Sequence, residues 1–200
     1  MYTQIAETCI AFDGNRLIAD GDILDVVQKV KAHVDRKPDA SVLMFDGVTS
    51  YIVELDLRGD IDDVMRSVEA RLKHAGLQTD EVSEEHRGPG RPKLGVVSRE
   101  VTLLPRHWEW LEQQPGSASV TLRKLVEEAR KRNLDKDRIR QAQESCYRFM
   151  NAMAGDQQGF EEALRALYAG DPVRFGEQIA SWPAGIRKHT EKLANAVFAS

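Results

Sequence analysis

The sequence predicts an α+β protein, and three observations carry that expectation. Short apolar runs flank the turn residues Asp13-Gly14-Asn15, apolar residues recur at helical spacing after Asp22 and after Asp60, and from Leu134 onward the helical period is interrupted only near Gly and Pro. Cys9 to Phe12 and Arg16 to Ala19 read as a hairpin around the Asp-Gly-Asn turn. Asp22 is placed to cap a helix in which Ile23, Val26, Val27, Val30 and Val34 share one face. Val42 to Phe45 and Tyr51 to Leu57 read as a second hairpin around Asp46-Gly47, and Asp60 opens a helix over 61–75 that Gly76 is expected to stop. The order ββαββα predicts an antiparallel sheet with helices on one face, an α+β domain over 1–76.

Residues 77–96 have no hydrophobic period, are acidic at first and then rich in Gly, Pro and Arg, and read as a linker with a basic arm. A strand pattern over Val97 to Leu104 stops at Pro105, and two helical patterns follow around Gln114-Pro115-Gly116-Ser117. The segment 97–133 is thus a strand followed by two helices. The rest, 134–200, reads as a helical unit with breaks near Gly155, Gly170-Asp171-Pro172 and Trp182-Pro183.

Two hundred residues with 42% hydrophobic content are enough for a buried core. No apolar run approaches the roughly 20 residues that span a bilayer, and the chain start lacks a signal-peptide pattern, so a cytoplasmic location is expected. Cys9 and Cys146 lie far apart and outside any Cys-x-x-Cys or Cys/His cluster, and are expected to be buried, reduced thiols. The net charge of −4 hides an asymmetry. Residues 1–85 carry 9 Lys/Arg against 18 Asp/Glu, whereas 86–148 carry 14 against 8. A basic middle beside an acidic flank suits a polyanionic partner and limits indiscriminate binding.

The stretch Arg99-Glu100-Val101-Thr102-Leu103-Leu104-Pro105-Arg106-His107-Trp108-Glu109-Trp110-Leu111-Glu112 resembles the strand and first helix of ribbon-helix-helix DNA-binding proteins. Gly116-Ser117-Ala118-Ser119, followed by Leu122, Leu125, Val126 and Ala129, is similar to the start of that family's second helix. The resemblance implies a homodimer in which the strand pairs with its twin. Period two sets Val101 and Leu103 on one face, toward a core, and Ser98, Glu100 and Thr102 on the other, and the resemblance implies that this outward face enters the major groove. Ser117 or Ser119 would cap the second helix, whose free N–H groups suit a phosphate, with Arg106, Arg123 and Lys124 adding charge. Val101, Leu103, Trp108, Leu111, Leu122 and Val126 would line the dimer interface. Glu100 stands where the family carries a basic or amide residue; it can accept from a cytosine amino group but repels phosphate.

Upstream, Arg87-Gly88-Pro89-Gly90-Arg91-Pro92-Lys93 resembles an AT-hook, with Pro89 in place of its first arginine. The resemblance implies that Arg87, Arg91 and Lys93 reach an A·T-rich minor groove. Taken along the chain, Gly90 to Val97, Val101 to Leu111 and Tyr147 to Gly155 resemble an uncharacterised bacterial family, domain of unknown function 2239, which implies a bacterial protein and supplies no activity.

His33, His74, His86, His107 and His189 show no metal-ligand spacing, and no nucleophile elbow, P-loop or dinucleotide fingerprint occurs. A non-enzymatic protein without cofactor or metal is expected, and no residue pattern identifies a small-molecule effector. Trp108 and Trp110 lie about 200° apart on a helix and so cannot share a face. Tyr147, Phe149, Met150 and Met153 read as core. The leading expectation is a dimeric transcription regulator on duplex DNA. The alternative is a non-catalytic protein–protein interaction module whose central segment dimerises.

Overall fold

The computed structural model describes residues 7–80 and 97–199, the side chains of 75–80 excepted. It is an α+β structure with two compact units. One joins Met1–Thr79 to Arg138–Ser200, and the other is Asp80–Asp137.

In the first unit, β1 (Thr8–Asp13) and β2 (Arg16–Asp22) form the expected hairpin, and Gly14 takes the positive φ of +54° that the tight turn needs. Asp22 caps α1 (Ile23–Arg36) by accepting from the Leu24 amide at 2.9 Å. β3 (Val42–Asp46) pairs antiparallel with the other edge of β1, giving the order β2-β1-β3. The second hairpin strand is largely lost. Tyr51 to Val53 keep a single bridge, Phe45 to Ile52, while the carbonyl of Glu54 is taken by the Arg71 guanidinium at 2.9 Å instead of a ladder partner. Val53, Leu55 and Leu57 still turn inward alternately, so the period-two pattern reports burial here without reporting pairing.

Asp60 caps α2 (Ile61–Asp80) through the Asp63 amide, and the helix runs past Gly76 rather than stopping there. A lone glycine inside a helix costs about 1 kcal/mol relative to alanine, too little to end one that is anchored by Val64 and Val68. Downstream, α4 (Ala118–Ala154), α5 (Phe160–Ala169), α6 (Pro172–Ile179) and α7 (Ala184–Phe198) end or begin at the expected breaks. α3 (Pro105–Glu112) belongs to the second unit. Gly170 adopts a left-handed φ of +71°, and Asp171 caps α6 through the Arg174 amide at 3.0 Å.

Helices cover both faces of the sheet, not one. Cys9 and Ala11 face a cluster with Ile23, Val26, Val27, Val30, Val64 and Val68. Ile10 and Phe12, pointing the other way, enter a second cluster with Phe149, Met150, Leu167, Ile179 and Ile186. The expected N-terminal domain and C-terminal helical unit therefore share an interior. Both thiols are buried and unpaired, and burial pushes each up to about 12.

One polar residue of this interior has an acid-sensitive consequence. His189 is buried against the Phe149 ring, with neither ring nitrogen hydrogen-bonded among the described residues. Desolvation, helped by Lys192, lowers its pKa from 6.5 to about 4. Below pH 6.5 the unfolded chain binds a proton that the native state refuses. The stability from neutral His189 is thus complete above 6.5 and lost as pH falls toward 4, by about 3 kcal/mol. Denaturant titrations at pH 7.5 and 4.5 should show this loss, and His189→Leu should reduce it relative to the parent. Equal losses in the two proteins would disprove the assignment.

Candidate nucleic-acid interface

The candidate interface lies in the second unit. Residues 97–104 are neither helix nor strand; the expected strand over Val97 to Leu104 has no ladder partner within the described chain, and a lone strand cannot satisfy its own backbone. Ser98, Glu100 and Thr102 are exposed, Leu103 is half-buried, and Val101 is 60% exposed. Leu104 is extended, and its carbonyl receives the amides of His107 and Trp108 as Pro105 starts α3. Within α3, Trp108 and Trp110 are both exposed, whereas Leu111 is only 2% exposed. Leu111, expected at the dimer interface, is already buried within the single chain. Arg106 is exposed.

α4 follows Gly116, whose φ of +103° only glycine adopts readily. Ser117 occupies the cap position, its carbonyl accepting from the amides of Val120 at 2.9 Å and Thr121 at 3.1 Å. Ser119 lies inside the helix, where its carbonyl accepts from Arg123 Nε at 3.1 Å, so it is not the cap. The expected boundary at 133–134 falls within α4, because no Gly or Pro interrupts the chain between Ser117 and Gly155.

Successive helix residues advance by about 100°. Leu122, Leu125, Val126 and Ala129 therefore gather on one side of α4, and Arg123, Lys124, Arg130, Lys131 and Arg132 spread over the other, with Glu127 and Glu128 among them. Arg130 is paired with Glu127 at 3.0 Å. Among the described residues, Arg106, Lys124, Lys131 and Arg132 have no carboxylate partner. The apolar side is uncovered: Leu122 is half-buried, Leu125 is exposed, and Val126 and Leu134 are 58% and 67% exposed. Leu125, Val120 and Leu134 were not singled out for the interface, although the i, i+3, i+4 spacing runs through the first and its exposure is of the same kind.

No hydrogen bond or ion pair among the described residues links Ser98, Glu100 or Thr102 to Ser117, Arg123 or Lys124. Arg87, Arg91 and Lys93, with the AT-hook-like segment, lie outside the described residues. No described helix is long and apolar enough to cross a membrane.

Fold and site together define an α+β protein in which a helix carries cations on one side and an uncovered apolar stripe on the other. The chain belongs to the family described as uncharacterized protein conserved in bacteria, DUF2239, which matches residues 8–194. No curated protein and no solved structure matches it.

Proposed function

We propose that this protein is a non-enzymatic, homodimeric DNA-binding protein that acts as a transcription regulator. The observation that carries this reading is the start of α4, where an exposed apolar stripe stands opposite a cationic arc. Exposed Leu125 and Val126, with Val101 on the extended segment, give a second copy apolar surface to cover. In the dimer the two copies of 97–104 pair as a ribbon in the manner of ribbon-helix-helix proteins, satisfying the backbone that one chain leaves unpaired. Ser98 and Thr102 then face base edges, and Ser117, Arg106, Arg123 and Lys124 face phosphates. Arg87, Arg91 and Lys93 would add minor-groove contacts on an A·T-rich duplex. The cytoplasm is the proposed place of action, since buried, unpaired Cys9 and Cys146 suit a reducing compartment.

Two measurements test the reading. Light scattering at micromolar concentration should give twice the chain mass, and Val101→Asp should halve it while leaving the fold intact, because Val101 is exposed within one chain. Fluorescence anisotropy on a labelled duplex should show binding that weakens steeply between about 50 and 200 mM salt. A folded wild-type monomer overturns the ribbon. A dimer without duplex binding at low salt replaces this reading with the protein–protein interaction module.

A further inference from the structure

The first unit contains a groove of about 250 Å³ between the start of β2 and one face of α1. Lys29, Ala32, His33 and Arg36 recur at i, i+3, i+4 and i+7 and so share that face. Arg16 and Ile18 line the opposite wall. The register of the hairpin shifts here: Ala11 pairs with Ala19 and Phe12 with Leu17, leaving Ile18 as a bulge. A bulge re-aims the side chains around it, and small Ala32 leaves the helix side open.

The charge of this groove runs against its surroundings. The segment 1–85 carries twice as many acids as bases, yet among the described residues Arg16, Lys29 and Arg36 have no carboxylate partner. Among the described residues Arg36 donates only to the Ala32 carbonyl of its own helix, at 3.0 Å. The carboxylate beside His33, that of Asp13, is already committed. It accepts from Lys37 Nζ at 2.9 Å, His33 Nε2 at 3.0 Å and the Ser41 amide at 3.2 Å. The Asp13 contact also fixes the His33 ring, with Nε2 turned to the carboxylate and Nδ1 carrying no partner among the described residues.

We propose that this groove is a binding site for a small phosphate-bearing molecule, held by Arg16, Lys29 and Arg36 beside a histidine oriented by Asp13. Guanidinium groups match phosphate oxygens with paired donors, and Lys29 adds a point charge. Small-molecule clefts run from about 300 to 1,000 Å³, so this groove suits a phosphate group with a small organic part. The site is independent of the DNA-binding reading.

Isothermal titration calorimetry on the full chain at low salt tests it, with ribose 5-phosphate, inorganic phosphate and ribose as probes. Ribose 5-phosphate should bind at one saturable site and ribose should not. Inorganic phosphate binding as tightly as the sugar phosphate would identify the ligand as the free oxyanion; weaker binding would identify an organic phosphate. Arg16→Gln and Arg36→Gln should each weaken binding by about tenfold or more, as expected for charge-assisted hydrogen bonds. Both residues are exposed, so folding should persist, and circular dichroism checks this. Arg66→Gln, away from the groove, and the Arg123→Glu/Lys124→Glu double variant should bind ribose 5-phosphate as the parent does. The absence of saturable binding by either phosphate, or equal binding in the Arg16 and Arg36 variants, overturns the proposal.

Discussion

Arg123→Glu combined with Lys124→Glu should lower the affinity for any duplex by about 100-fold or more near 0.1 M salt and reduce the salt slope by about 1.8. Each phosphate contact contributes about 0.9 to that slope, which at 0.1 M corresponds to roughly eightfold in affinity per contact. Two lost contacts give about 60-fold, and the carboxylates put in their place add repulsion. Both side chains are exposed, and Arg123 donates only to a carbonyl of its own helix, so no packing is lost. Arg123 and Lys124 lie beyond the first turn of α4, so its start should persist in the double variant. Anisotropy at three salt concentrations measures affinity and slope together. An unchanged slope would remove these residues from the proposed phosphate contacts.

Phe149→Ala should destabilise the first unit by about 3–5 kcal/mol, the cost of truncating a fully buried aromatic. Phe149 lies 5.6 Å from the Phe12 ring, 5.3 Å from the Phe45 ring and 4.5 Å from His189, centroid to centroid. The residue thus joins β1, β3 and α7 to α4. Because these elements share one interior, the loss should appear as a single cooperative transition at lower denaturant. Amide exchange should rise together at Ile10 and Phe12 and in α7. Faster exchange confined to the helices, with β1 unaffected, would show that the sheet has an interior of its own.

Much of the fold was legible in the sequence wherever a few neighbouring residues decide the outcome. Asp13-Gly14-Asn15 supplies its own turn, Asp22 its own cap, and Gly170-Asp171-Pro172 ends one helix and begins the next. The second helical layer was overlooked although a signal for it was present. Cys9-Ile10-Ala11-Phe12 is continuously apolar rather than alternating, which is how a strand covered on both faces reads. The helices of that second layer lie more than a hundred residues further along the chain, beyond any local window. Tyr51 to Leu57 carries strand alternation, yet pairing also depends on a long-range competitor, and Arg71 takes the Glu54 carbonyl.

For the candidate site, the sequence marked the cations of α4 and the Gly116-Ser117 start, because charge and glycine geometry are local properties. It could not separate Leu111, which the chain encloses, from Val101, Leu125 and Val126, which it leaves exposed. Nor could it show that Arg16, Lys29 and Arg36 meet at one groove, since that depends on the register of a bulged hairpin against α1. The sequence by itself determined the α+β class, the helix ends and the basic middle, because turns, caps and charge act over a few residues. Only the tertiary structure decided which side chains share an interior and which cations stand without a counter-charge, because burial and ion pairing depend on residues far apart in the chain.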